Sequence, residues 1–192
     1  MSLIIFIKNP ALGKVKTRLA ATIGDEAALA VYHKLSHRAR EMALVLDVPR
    51  HLFYSDFIDD NDAWDKALFI KKQQVGQDLG ERMHLAFVDT LQTSSKAVII
   101  GSDCPLLTSE IVQLALDQLD EYPFVLGPAL DGGYYLLGMR KPTPALFENM
   151  EWSTENVAKI TLERMAESGA PCYLLPALPD VDVEEDWQKY GW

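Results

Sequence analysis

Short apolar runs alternate along the chain with longer stretches in which apolar residues recur every three or four positions. Leu3–Lys8 is a run of the first kind and predicts a buried first strand. In Asp25–Leu46, the residues Ala28, Val31, Tyr32, Leu35, Ala39, Met42, Ala43 and Leu46 fall on one helical stripe, with Gly24-Asp25 as its start signal. His51–Ser55 and Leu68–Gln74 predict short strands, and Asp78–Leu91 a helix with Leu79, Met83, Phe87 and Leu91 at four-residue steps. Ala97–Gly101 predicts a buried strand, and Thr108–Leu119 a helix capped by Thr108 or Ser109 with Glu110 in its first turn. Phe124–Gly127 and Tyr134–Gly138 predict two more strands, the second open to an antiparallel course. Thr154–Glu167 predicts a helix ending at Gly169, Cys172–Leu175 a last strand and Val183–Tyr190 a terminal helix. This alternation predicts an α/β fold: a mostly parallel sheet covered by helices on both faces.

A length of 192 residues suits one domain spanning 1–192. The formal net charge of −10 disfavours a nucleic-acid partner, whose backbone is held by clustered Lys and Arg. Cys104 and Cys172 lie far apart without metal-ligand spacing, so neither a disulfide framework nor a zinc site is expected. Leu3–Ile7 is too short for a signal segment, and no stretch approaches the ~20 apolar residues of a membrane span. A cytoplasmic protein is the expectation. The sequence leaves the oligomeric state open, a homodimer being one option.

In a parallel sheet, ligands gather at the carboxyl ends of the strands. The polar segments there are Lys8–Arg18, Ser102–Pro105, Pro128–Gly133 and Pro179–Asp182, and the first, second and fourth directly follow strands. Lys8–Arg18 holds four basic residues and no acidic one in an otherwise acidic chain. A loop leaving a buried strand presents free N–H groups, and a helix starting near Lys14 would add its positive end. Lys and Arg suit phosphate oxygens, each charge-assisted bond contributing ~1.5–3 kcal/mol. The segment is not a Walker loop, because Val15 follows Gly13-Lys14. Asp103, just past a buried strand, is placed to hold Mg²⁺ or Mn²⁺, or else to satisfy amides of its own turn. The glycines of Asp131-Gly132-Gly133 permit close approach of a ligand or simply a tight turn. In Asp180-Val181-Asp182, two alternating carboxylates offer a second metal ligand, unless Asp182 serves as a helix cap with Glu185 three residues on. Gly76–Met83 reads as a loop and helix start near nucleotide or acceptor, Trp152-Ser153-Thr154 as an N-cap with an aromatic, and His84 as a surface residue. No nucleophile motif surrounds any histidine.

Taken in order, Lys8-Asn9-Pro10 with Gly13–Leu19, Gly101-Ser102-Asp103-Cys104-Pro105, and Gly127-Pro128 with Asp131-Gly132-Gly133-Tyr134 resemble a glycosyltransferase-like bacterial family. That family, once a domain of unknown function, lies in the nucleotide-diphospho-sugar transferase superfamily. More distantly, the chain is similar to 2-phospholactate and molybdenum-cofactor guanylyltransferases. The resemblance covers nearly the whole chain, from Lys8 to Asp182. It implies a Rossmann-like three-layer sandwich of the glycosyltransferase A type. It also implies a metal-dependent transferase acting on a nucleotide or nucleotide-sugar. Lys8, Gly13, Lys14, Lys16, Arg18 and Ser102 would lie on the nucleotide and its phosphates. Asp103 and Asp182 would hold Mg²⁺ or Mn²⁺, with Asp103, Lys16 and Arg18 carrying the chemistry. Asp131, Gly132, Gly133 and Trp152 would border the acceptor or sugar.

Glycosyl and nucleotidyl transfer both remain open. Sugar transferases of this fold usually carry Asp-x-Asp after the central strand, where this chain reads Ser102-Asp103-Cys104 with one carboxylate. The dense cationic segment suits a departing pyrophosphate, placing positive charge where negative charge develops. A non-catalytic nucleotide-binding module on the same fold is the third reading.

Overall fold

The computed structural model describes residues 1–192. Seven strands form one sheet: β1 (Ser2–Ile7), β2 (Arg50–Tyr54), β3 (Ile70–Gln73), β4 (Ala97–Ile100), β5 (Phe124–Pro128), β6 (Tyr134–Met139) and β7 (Cys172–Leu174). Their spatial order is β3-β2-β1-β4-β6-β5-β7. Every neighbouring pair is parallel except the two that involve β6, which runs against β4 and β5. The α/β three-layer architecture expected from the alternation is therefore present, including the antiparallel strand.

The layers follow from side-chain alternation along buried strands. Leu3, Ile5 and Ile7 of β1 face one core, with Met42 and Ala43 of α2 (Asp25–Val45) and Val112, Ala115 and Leu116 of α4 (Ser109–Gln118). Ile4 faces the other, with Met83, Ala86 and Phe87 of α3 (Leu79–Thr90) and Ala158 and Met165 of α5 (Val157–Glu167). A third, smaller core joins Leu19 of α1 (Thr17–Ile23) to Ala28, Val31 and Leu35 of α2 and to Val181, all shielded from solvent. That cluster fixes the segment before α6 (Glu184–Tyr190) against the helix that follows the basic loop. No helix is long and apolar enough to cross a membrane.

Several boundaries differ from expectation. The first helix begins at Thr17 rather than near Lys14, because Lys16 takes a left-handed conformation (φ 49°) and stops it from extending back. The helix expected from Thr154 begins at Val157, with Asn156 at its cap. At α6 the cap is Val183, and Asp186 rather than Glu185 accepts from the amides of Asp182 and Val183, both at 3.0 Å. His84, expected at the surface, is half-buried: its Nδ1 is sealed from solvent without a partner, and its ring lies 6.0 Å from that of Phe147.

Candidate functional site

Since β1, β4, β5 and β7 point the same way, all four singled-out segments leave the sheet at one rim. This includes Pro128–Gly133, which directly follows β5. The segment after β7 laces the others together through its backbone. Val181 N donates to Asp103 O at 3.1 Å, Leu178 N to Pro128 O at 3.1 Å, and Leu130 N to Leu178 O at 3.0 Å.

Lys16 sits at the meeting point. The neighbouring Val15 is buried and anchors the loop, so the chain can turn the Lys16 side chain inward. Its Nζ lies 2.9 Å from Asp103 Oδ1 and 3.5 Å from Asp182 Oδ1, and it donates to Val181 O at 2.6 Å. Only 5% of the side chain is exposed. Burial pulls the Lys16 pKa down, and the surrounding carboxylates, Asp103 first and then Asp182 and Asp180, together more than offset this and hold the amine above its ordinary value. Arg18 reaches Asp182 Oδ2 at 3.4 Å from an exposed position. Asp180 joins from the same segment. Its Oδ1 is sealed off without a hydrogen-bond partner, and burial, then Asp103 and Asp131, push its carboxyl up to about 7.

The remaining basic residues stand differently. Lys14 is exposed on a turn closed by its own N–H donating to Ala11 O at 3.0 Å, after Gly13 at φ 70°. Lys8 lines a cavity of about 230 Å³ with Tyr32, His33, His37 and Arg40, rather than joining the Asp103 cluster by an ion pair. Its carbonyl accepts from the Tyr32 hydroxyl, and Ser102 is buried beside that same hydroxyl.

Asp131 accepts from Gly133 N at 2.9 Å, which shapes the turn. Gly132 is required there: its φ is 93°, and a Cβ would stand 2.0 Å from Glu155 O. Its carbonyl accepts from Ala158 N at 2.9 Å and so docks the start of α5 on the loop. Trp152 packs its ring over Gly80 of α3 among the residues of the second core, its Nε1 buried and unpartnered.

Other supports carried little sequence signal. Asn9 pins the loop after β2, donating to Phe57 O at 2.9 Å and accepting from the amides of Asp56 and Phe57. Gln74 donates to the carbonyls of Ile7 and Phe53 at the rim. In Gly76–Met83, Asp78 accepts from Glu81 N at 2.8 Å, and Arg82 Nε donates to Gly76 O at 3.1 Å. Asp180 was visible only as part of its segment.

No group of three His, Cys, Asp or Glu side chains closes on one point. A caged ion is therefore not built in. Mg²⁺, however, commonly takes one or two carboxylates and completes its shell with water and phosphate. Asp103 and Asp182 converge on a single Nζ, and the acidic side chains Asp103, Asp131, Asp180 and Asp182 outnumber the cations Lys16 and Arg18. Such hard oxygen donors in negative excess fit a divalent ion that arrives with a phosphate.

The family model described as "Uncharacterized protein conserved in bacteria (DUF2064)" matches residues 38–154. Among solved structures, the chain is similar to a protein provisionally described as a nucleotide-diphospho-sugar transferase from Desulfovibrio desulfuricans G20. The two share 34% identity over 95% of this chain and 82% of that one, with a TM-score of 0.87. It shares its fold with the inositol-1-phosphate CTP transferase of T. maritima (15% identity, 96% and 90% covered, TM-score 0.62). It also shares it with Rv0371C of Mycobacterium tuberculosis H37Rv, solved as a manganese complex (10% identity, 98% and 97% covered, TM-score 0.55). Among curated proteins none matches the chain.

Proposed function

The chain belongs to the bacterial family DUF2064, and we propose that it is a metal-assisted transferase that grips a nucleotide's phosphates between its basic loop and Asp103. The observation that carries this reading is the convergence of Lys16, Arg18, Asp103 and Asp182 on one rim of the sheet. Phosphoryl chemistry asks the protein for positioning and charge more than for a nucleophile, which agrees with the lack of a nucleophile motif. Lys14, Lys16 and Arg18 would bind the distal phosphates and stabilise the charge that builds on the leaving group. Asp103 and Asp182 would hold Mg²⁺ or Mn²⁺, which as a Lewis acid polarises phosphoryl oxygens. The turn Asp131-Gly132-Gly133 would border the acceptor, with Trp152 supporting that wall from behind. Lys8, beside its own cavity, would meet a more remote part of the nucleotide.

Nucleotidyl transfer with loss of pyrophosphate is favoured by the single carboxylate at Ser102-Asp103-Cys104 and by the cationic loop facing it. Glycosyl transfer is the second reading, favoured by the description of the 34%-identical Desulfovibrio protein. Incubation with Mn²⁺ and a panel of labelled nucleoside triphosphates and nucleotide sugars, over a range of phosphorylated and sugar acceptors, separates them. Released pyrophosphate supports the first and released nucleoside diphosphate the second. Binding without metal effect or product would instead favour a non-catalytic module.

A further inference from the structure

We propose that Lys16 is a built-in occupant of the divalent-cation position, so that the ion and the nucleotide's phosphates must enter together. The inference rests on the reading of Asp103 and Asp182 as the ion's carboxylates. An ammonium has three donors, and here all three have acceptors: Asp103 Oδ1 at 2.9 Å, Asp182 Oδ1 at 3.5 Å and Val181 O at 2.6 Å. Nζ therefore sits between the two carboxylates, where an oxygen-seeking cation would sit. Val181 is fully buried among Leu19, Ala28, Val31 and Leu35, so its carbonyl is fixed in place. The Lys16 backbone is held in the left-handed region (φ 49°), which a lysine rarely adopts and which directs this side chain inward.

In this state the Lys16 ammonium offsets part of the negative charge of the acidic site. If Nζ left it alone, a nearly buried ammonium would lose its partners, which is costly. Phosphate oxygens offer replacement acceptors within reach of the flexible lysine stem. Nζ could then move to phosphate and vacate the point between the carboxylates. By linkage, nucleotide and ion would raise each other's affinity by the same factor. Arg18 also touches Asp182, at 3.4 Å, but it is 71% exposed and stands outside that point.

The test measures Mn²⁺ binding to the full chain without nucleotide, from the electron paramagnetic resonance of the free ion. Circular dichroism verifies the fold of each variant. Lys16→Met is expected to bind Mn²⁺ at least about tenfold tighter than wild type, equivalent to about 1.4 kcal/mol. Arg18→Gln removes one charge from the same cluster but vacates nothing, and should gain less than about fivefold. Adding Asp103→Asn to Lys16→Met should erase the gain. If Lys16→Met does not fold, Lys16→Gln makes the same comparison. The inference is overturned if the Lys16 variants bind no tighter than wild type, or if Arg18→Gln gains as much. A gain in Lys16→Met with no nucleotide bound by any variant would uphold the occupancy of Lys16 and overturn the nucleotide reading instead.

Discussion

Asp180→Asn removes the cost of ionising a carboxyl that is buried within the acidic cluster. The folded carboxyl is pushed up to about 7 from an ordinary 3.8, first by burial and then by Asp103 and Asp131. Below pH about 4 both the folded and unfolded chains hold this proton, and the site contributes nothing. As pH rises, the unfolded chain releases it near 3.8 while the folded chain keeps it until about 7, so stability falls across that window. At ~1.36 kcal/mol per pKa unit, the ceiling is about 4 kcal/mol, fully expressed above the folded pKa. Relaxation and water entry should leave about 2 kcal/mol of it. Asparagine keeps the shape and cannot ionise. In EDTA at pH 8, Asp180→Asn should therefore raise stability by about 2 kcal/mol in urea unfolding, and Tm by roughly 4–8 °C. At pH 4 the two proteins should be nearly equal. Equal stability at pH 8, or a variant less stable there, would refute the claim that burial and its acidic neighbours hold this carboxyl up.

Other predictions address separate parts of the account. Asp103→Asn should abolish metal-dependent nucleotide binding in calorimetry while circular dichroism stays unchanged; an unaltered affinity would remove Asp103 from the site. Arg18→Ala should weaken triphosphate binding more than monophosphate binding, since an exposed arginine reaching Asp182 would serve the distal phosphates; equal losses would contradict that role. Gly132→Ala should cost at least about 2 kcal/mol in thermal unfolding, because the added Cβ meets a backbone oxygen at a positive φ. Chelation of divalent ions should weaken nucleotide binding in wild type, and unchanged binding would favour a module that needs no metal.

The strands were legible to within a residue or two, because β1 and β4 are buried on both faces and read as unbroken apolar runs. The rim followed from strand direction alone, which is why basic and acidic segments far apart in sequence could be assigned to one place. What escaped depends on contacts between loops. No residue pattern signals that a lysine will take a left-handed turn, so the first helix was expected too early. Asp180 owes its altered acidity first to burial and then to Asp103 and Asp131, which arrive from β4 and β5, and no local spacing encodes either. Trp152-Ser153-Thr154 looked like a cap, yet the indole fills the space left by Gly80 more than seventy residues upstream. At α6 the sequence offers Glu185 and Asp186 as neighbouring candidates to close the cap, and the observed choice moves the box by one residue.

The central claim is that the basic loop and the acidic pair hold one polyphosphate from two sides. A crystal structure with Mn²⁺ and a bound nucleoside triphosphate tests it most directly. The account predicts the ion on Asp103 and Asp182, sharing phosphate oxygens with Lys14, Lys16 and Arg18. A nucleotide bound with its phosphates away from those side chains, or an ion held elsewhere, would contradict it.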